Sequence, residues 1–101
     1  MTSETLHKID QKSKQAKFEA AKSFKTNTHT SVPFEQVVVL SPMHPDFIFL
    51  VHKNMIFDKS SLCNSSYDVF SFDKQGNYLK IEDVKDLGRE FFRTMKVVKK
   101  L

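Results

Sequence analysis

The chain has 101 residues, of which 40% are hydrophobic and 12% aromatic, and its 16 Lys and Arg against 12 Asp and Glu give a net charge of +4. That length holds one domain with a thin core and excludes a second, while the hydrophobic content excludes a wholly disordered chain. No apolar run approaches the roughly 20 residues that cross a bilayer, and the lysine-rich start has no hydrophobic signal core, so we expect a soluble cytoplasmic protein without membrane contacts.

The first predicted element is a helix from about residue 3 to residue 25, a stretch without Gly or Pro that is rich in Lys, Gln, Glu and Ala. Its apolar residues share one narrow side, namely Leu6, Ile9, Ala16, Ala20 and Phe24. Ser13 interrupts this band. A band this weak tethers a helix poorly, so we expect residues 1–31, the helix and a polar linker (Thr26–Ser31), to be mobile, exchanged between the protomers of a homodimer, or ordered by a partner.

Residues 32–101 are predicted to form a compact sheet and a second helix. Two hairpins are predicted from four strand-like runs, at Phe34–Leu40, Phe47–Val51, Tyr67–Asp73 and Tyr78–Ile81. The first two runs are apolar throughout much of their length, as in strands buried on both faces, and two prolines favour a tight connection between them. The last two runs flank a turn with Gly76 at an expected left-handed position. Met55–Phe57 either extends the second strand or forms a short one of its own.

The end of the chain returns to helical spacing from about Glu82 to Lys100. Its apolar residues are three, four, four and three apart, at Val84, Leu87, Phe91, Met95 and Val98. Acids at the start and basic residues at the end suit the helix dipole, and Gly88 is expected to allow close packing on the sheet. Together the elements predict an α+β fold, in which a small antiparallel sheet of three to five strands in two hairpins is flanked by an N-terminal and a C-terminal helix.

Residue types that carry catalysis or bind metals are scattered along the chain. His44 and His52 lie at the two ends of one predicted strand, roughly 25 Å apart, and no His or Cys pair has the spacing of zinc ligands. A single cysteine, Cys63, excludes a disulfide framework, and two glycines cannot build a phosphate loop. We therefore expect no enzyme activity, no metal and no cofactor. One catalytic alternative stays open, a small ribonuclease assembled from His29, His44, His52 and Lys53.

The basic residues are more informative, because the positive charge is concentrated at the two ends of the chain. Residues 1–31 carry six lysines and three acids, residues 32–88 five lysines and eight acids, and residues 89–101 five basic residues and one acid. On the predicted last helix, five cations form a ridge opposite the apolar stripe, at Lys85, Arg89, Arg93, Lys96 and Lys100. Such a ridge suits a phosphate backbone. The alternative is an ordinary solvated helix face.

On the first helix, Phe18 lies on the polar side. Lys14, Lys22 and Lys25 are its neighbours at i−4, i+4 and i+7. An aromatic ring among lysines suits stacking on an unpaired base while the lysines hold phosphates. The alternative is that Phe18 packs against a partner protein.

These patterns favour a small, non-catalytic nucleic-acid-binding protein, with RNA ahead of DNA because no DNA-recognition helix is evident. Phage proteins have a similar size and composition, so an inhibitor that neutralises a host RNA-directed factor through its bound RNA is one form of this hypothesis. A protein-only inhibitor or adaptor that docks through its N-terminal helix is the main alternative. The third is the ribonuclease.

Overall fold

A computed structural model describes residues 1–24, 29–58, 64–82 and 84–101. Its elements in chain order are α1 (Ser3–Phe24), β1 (His29–Leu40), β2 (Ile48–Asp58), β3 (Asn64–Phe72), β4 (Tyr78–Glu82), α2 (Val84–Thr94) and β5 (Lys96–Lys100). The strands form one antiparallel sheet in the order β4-β3-β2-β1-β5. The predicted α+β class, with its antiparallel sheet and two helices, is confirmed.

The sheet is covered by α1 on one face and by α2 on the other. Side chains alternate between the two faces along each strand. On the α2 face the buried cluster contains Val37, Val51 and Val69 together with Leu87 and Phe91 of α2. On the α1 face the buried cluster is Ile9 of α1 with Val38, Ile48, Leu50, Phe70 and Phe72. Burial on both faces explains why the end of β1 and the start of β2, on either side of the connection between the two strands, are continuously apolar.

Four residues of α1, spaced four, four and three apart, face the sheet: Thr5, Ile9, Ser13 and Ala16. Ile9 is fully buried, and the polar Thr5 and Ser13 are buried beside it. The domain boundary predicted at 31/32 falls inside β1, since this strand begins at His29. Independent movement of α1 stays a prediction. Residues 25–28, and with them Lys25, lie outside the described residues.

The prediction of a helix through Lys100 is wrong. α2 ends at Thr94, and Lys96–Lys100 forms β5 against β1. The open edge of β1 offers backbone hydrogen-bond partners that a helix cannot use, and the β-branched Val97 and Val98 favour a strand. Gly88 breaks the helix with φ 73° and ψ 177°, and no heavy atom lies within 4 Å of the place its Cβ would take. The expected close packing at Gly88 is therefore also wrong.

Two further expectations are settled by the strands. Met55–Phe57 belongs to β2, which runs from Ile48 to Asp58. The predicted linker Thr26–Ser31 is corrected in part, because His29–Ser31 pairs with the end of β2. The β-branched and aromatic residues here find a partner strand, and this pairing overrides the polar character of the segment.

The turn between β3 and β4 is confirmed. Gly76 has φ 87°, and the Asp73 carboxylate accepts hydrogen bonds from the backbone N–H groups of Gln75 and Asn77, both at 2.9 Å. A Cβ at Gly76 would lie 2.8 Å from the carbonyl oxygen of Thr5. The glycine therefore allows the start of α1 to pass over this turn.

We expect Gly76→Ala to lower the free energy of unfolding by about 2 kcal/mol, because alanine would meet both a strained φ and the backbone of α1. Urea unfolding followed by circular dichroism measures the change. Gln75→Ala is the control, since Gln75 is exposed in the same turn. Equal stability of the two variants would contradict the close approach of α1.

Candidate nucleic-acid interface

The outward side of α1 carries the predicted aromatic ring among lysines. Phe18 is 61% exposed and points away from the side that holds Ile9 and Ser13. The Nζ atom of Lys22 lies 4.5 Å from the centre of the Phe18 ring. Lys14, one turn before Phe18, is an exposed lysine that pairs with Asp10 at 3.1 Å. The structure thus brings Lys14, Phe18 and Lys22 together, and we call these three residues the α1 surface.

The chemistry of the α1 surface follows from these positions. A cation over an exposed aromatic ring contributes about 0.5–1 kcal/mol, which favours one orientation of the two side chains. The Phe18 side chain stays largely open to solvent and offers an apolar plane. A planar base can stack on that plane, and the ammonium groups of Lys14 and Lys22 are then near the phosphates on either side of it.

The five cations predicted as a ridge do not form one. Arg93 pairs with Glu90 at 2.6 Å, and Lys100 of β5 pairs with Glu35 at 3.8 Å. Lys96 lies beside a different group of residues, at the connection between β1 and β2. Lys85 and Arg89 line one common pocket. The kink at Gly88 and the end of α2 at Thr94 break the helical spacing on which the ridge depended, so its geometry is wrong. Roles of the individual cations in binding stay predictions.

The pocket beside Lys85 and Arg89 was not foreseen from the sequence. The described residues that line it are Tyr67, Lys85, Gly88, Arg89 and Phe92. We call it the α2 pocket, and its volume is about 390 Å³. The rings of Tyr67 and Phe92 are 5.4 Å apart at an angle of 46°. The alternation of Tyr67 with the buried Val69 along β3 is the one sequence signal that Tyr67 faces α2.

The two candidate surfaces lie on opposite faces of the sheet. α1 packs over Val38 and Leu50, whereas α2 packs over Val37 and Val51. The α1 surface lies on the side of α1 that points away from the sheet. The α2 pocket opens beside α2 on the other face of the sheet. A single strand of nucleic acid therefore contacts both of them only by passing around the edge of the sheet.

The histidines proposed for a ribonuclease are separated in the same way. His52 is 1% exposed on the α1 face, where its Nε2 lies 3.0 Å from the Oγ of Ser13. His44 packs on the α2 face against the rings of Phe49 and Phe91, at 5.7 and 6.4 Å. His44 and His52 therefore do not share a site. The side chain of His29, like Cys63, lies outside the described residues.

Burial lowers the pKa of His52 from 6.5 to about 4, an effect that the charge of Lys17 assists and that of Asp68 opposes. His52 is therefore neutral at pH 7. Its Ser13 partner is as deeply buried as His52 is, so this pair faces no substrate. The arrangement fixes α1 on the sheet. Across the described ranges, no three His, Cys, Asp or Glu side chains are grouped so as to hold a metal ion.

No described helix combines the length and the apolar character needed to span a membrane. No protein family, curated protein or solved structure matches the chain.

Proposed function

We propose that the protein binds single-stranded nucleic acid, RNA in preference to DNA, in the cytoplasm and without catalysing a reaction. The observation that carries the proposal is the exposed ring of Phe18 between Lys14 and Lys22 on the outward side of α1. Unpaired bases stack on aromatic side chains, whereas bases in a duplex are already stacked on one another. The surface therefore favours single strands.

Rigid support for the α1 surface comes from the opposite side of the same helix. Ile9 is fully buried on the sheet and Ser13 contacts His52 there. Phe18 is less than two helical turns from Ser13, so the docked side of α1 fixes the direction of its ring. A preordered aromatic platform loses less entropy on binding than a mobile one.

The size and composition of the chain also bear on the biological role of the protein. Small size, net positive charge and a lysine-rich composition are shared with accessory proteins of phages, and these properties support an inhibitor of a host RNA-directed factor that acts through the bound RNA. A protein partner would then contact the complex of protein and RNA. Nothing in this role requires a cofactor.

The proposal is tested by fluorescence anisotropy of a labelled single-stranded RNA titrated with protein at about 50 and 200 mM salt. Two or three phosphate contacts on a single strand predict an approximately tenfold increase in Kd over that interval. Phe18→Ala is expected to raise Kd about tenfold by removing one stacked base. Replacing Lys14 and Lys22 by Gln should make the increase in Kd between the two salt concentrations smaller, because fewer phosphates are then contacted.

Matched controls exist on the same chain. Phe34 is 54% exposed on β1, so Phe34→Ala removes a comparably exposed ring from another place. Lys74 is 63% exposed in the β3–β4 turn near the start of α1, about 20 Å along the helix from Phe18, so Lys74→Gln removes a charge outside the α1 surface. Both controls should bind like the unmodified protein. Absence of RNA binding at the lower salt would overturn the proposal and leave docking of Phe18 on a partner protein as the remaining hypothesis. In that case we expect Phe18→Ala to abolish binding of the partner protein, and the variants with Gln in place of Lys14 and Lys22 to retain it.

A further inference from the structure

We propose that the α2 pocket seats one unpaired base of the nucleic acid, with the adjoining phosphate held by Arg89. The inference rests on the proposed function for the class of ligand, and it adds a second contact on the opposite face of the sheet. It depends on three independent features of the pocket: its aromatic walls, its open floor and its charged rim.

The walls are the rings of Tyr67 on β3 and Phe92 on α2. Their centres are 5.4 Å apart and their planes are inclined at 46°, so the two rings form an open wedge. Tyr67 is 42% exposed although it faces the layer that contains α2. Behind the wedge, the centre of the Phe92 ring lies 5.2 Å from that of the fully buried Phe91. This contact fixes the position of Phe92. A planar base fits against an apolar wall of this kind.

The floor is the backbone at Gly88. No heavy atom lies within 4 Å of the place where a Cβ would be, so the missing side chain leaves open space. Gly88 also has φ 73°, a conformation that residues with side chains rarely adopt. Gly88 therefore has two effects. It breaks α2, and it lets a ligand come close to the backbone of the helix. At about 390 Å³ the pocket is within the usual range for small ligands.

The rim carries two cations, Lys85 and Arg89, and none of the described residues that line the pocket is an acid. Within the described ranges Arg89 makes no ion pair and no side-chain hydrogen bond, whereas the next arginine, Arg93, is paired with Glu90. A guanidinium group binds phosphate through two parallel hydrogen bonds. Apolar walls beside a cationic rim thus match a ligand that is flat and apolar at one end and anionic at the other, as a nucleotide is.

The test uses the intrinsic fluorescence of Tyr67. The chain has two tyrosines and no tryptophan, so Tyr78→Phe leaves Tyr67 as the only reporter. Tyr78 lies on the α1 face beside Phe72 and Lys12, and phenylalanine preserves its ring. The probe is a uridine 12-mer RNA, whose binding is followed in parallel by anisotropy. We expect the Tyr67 emission to fall by about half on saturation, because a stacked base quenches the ring. The Tyr67→Phe chain, which reports from Tyr78, corrects for absorption by the RNA.

Substitutions at the rim provide the second measurement. Arg89→Gln is expected to raise Kd about fivefold and to lower the salt slope by about one phosphate contact. Lys80→Gln is the control, since Lys80 is an exposed cation on β4 outside the pocket, and it should leave Kd nearly unchanged.

The outcomes separate the two proposals. If the RNA binds while the Tyr67 emission is unchanged and the Arg89→Gln and Lys80→Gln variants behave alike, the pocket proposal is overturned and the proposed function stands. If Tyr67 is quenched while Phe18→Ala binds normally, the pocket proposal is supported and the role of the α1 surface is not. If no RNA binds at about 50 mM salt, both proposals are overturned.

Discussion

Replacing Phe91 by alanine is expected to lower the free energy of unfolding by about 4 kcal/mol, the largest effect that we predict for a single substitution. Phe91 is fully buried in the cluster between α2 and the sheet. Its ring lies 4.9 Å from that of Phe49 and 5.2 Å from that of Phe92. Removing it leaves a cavity that the short helix α2 cannot fill without shifting.

The matched control is Phe92→Ala on the next residue. Phe92 is only partly buried, so its loss should cost less than half as much. Urea unfolding followed by circular dichroism measures both variants, with the slope of the transition compared to confirm cooperative unfolding. Equal losses for the two variants would show that α2 is not held by Phe91. The Phe91→Ala protein should also lose Tyr67 quenching, because Phe92 and Arg89 depend on the position of α2.

Acidification from pH 6.5 to 4 is expected to remove about 3 kcal/mol of stability through His52. Burial lowers the pKa of His52 from 6.5 to about 4 in the folded protein. Between these two values the unfolded chain binds a proton at this residue and the folded chain does not. The contribution of His52 is therefore complete above pH 6.5 and is lost progressively as the pH falls to 4.

The control for this pH dependence is His52→Gln, which keeps a polar side chain near Ser13 and removes the titration. This variant should be less stable at pH 7 and should lose much less stability between pH 6.5 and 4. Asp73 does not affect the difference in stability between pH 6.5 and 4. Hydrogen bonds from Asn77 hold the pKa of its carboxyl below the ordinary 3.8, so its contribution to stability is lost only below that pH. Parallel pH profiles for the two proteins would contradict a neutral, buried His52.

Much of the fold could be predicted because local patterns and tertiary contacts agree. The apolar residues of β1 and β2 were expected to be buried on both faces, and helices cover both faces. Phe70 and Phe72 are two residues apart in a predicted strand and are buried on the same face of the sheet. Gly76 was expected at a positive φ because a short turn between strands requires one. Each of these features depends on residues close together in sequence.

The candidate site was predictable in part for the same reason. Lys14, Phe18 and Lys22 are four residues apart on a helix without Gly or Pro, so helical geometry alone brings them together. The α2 pocket was not predictable, because Tyr67 and Phe92 meet only after β3 and α2 pack together. No local pattern relates two residues that distant in the chain.

The sequence by itself determined the α+β class, the first helix, both hairpins and the basic, aromatic outward side of α1, because short-range spacing decides each of them. The tertiary structure alone decided the fate of Lys96–Lys100, which fits a helix by its apolar spacing and a strand by its valines. β1 had an open edge, and its unpaired backbone groups gain hydrogen bonds only from a fifth strand. That pairing ended α2 at Thr94, dispersed the predicted ridge of cations and left Lys85 and Arg89 beside the pocket.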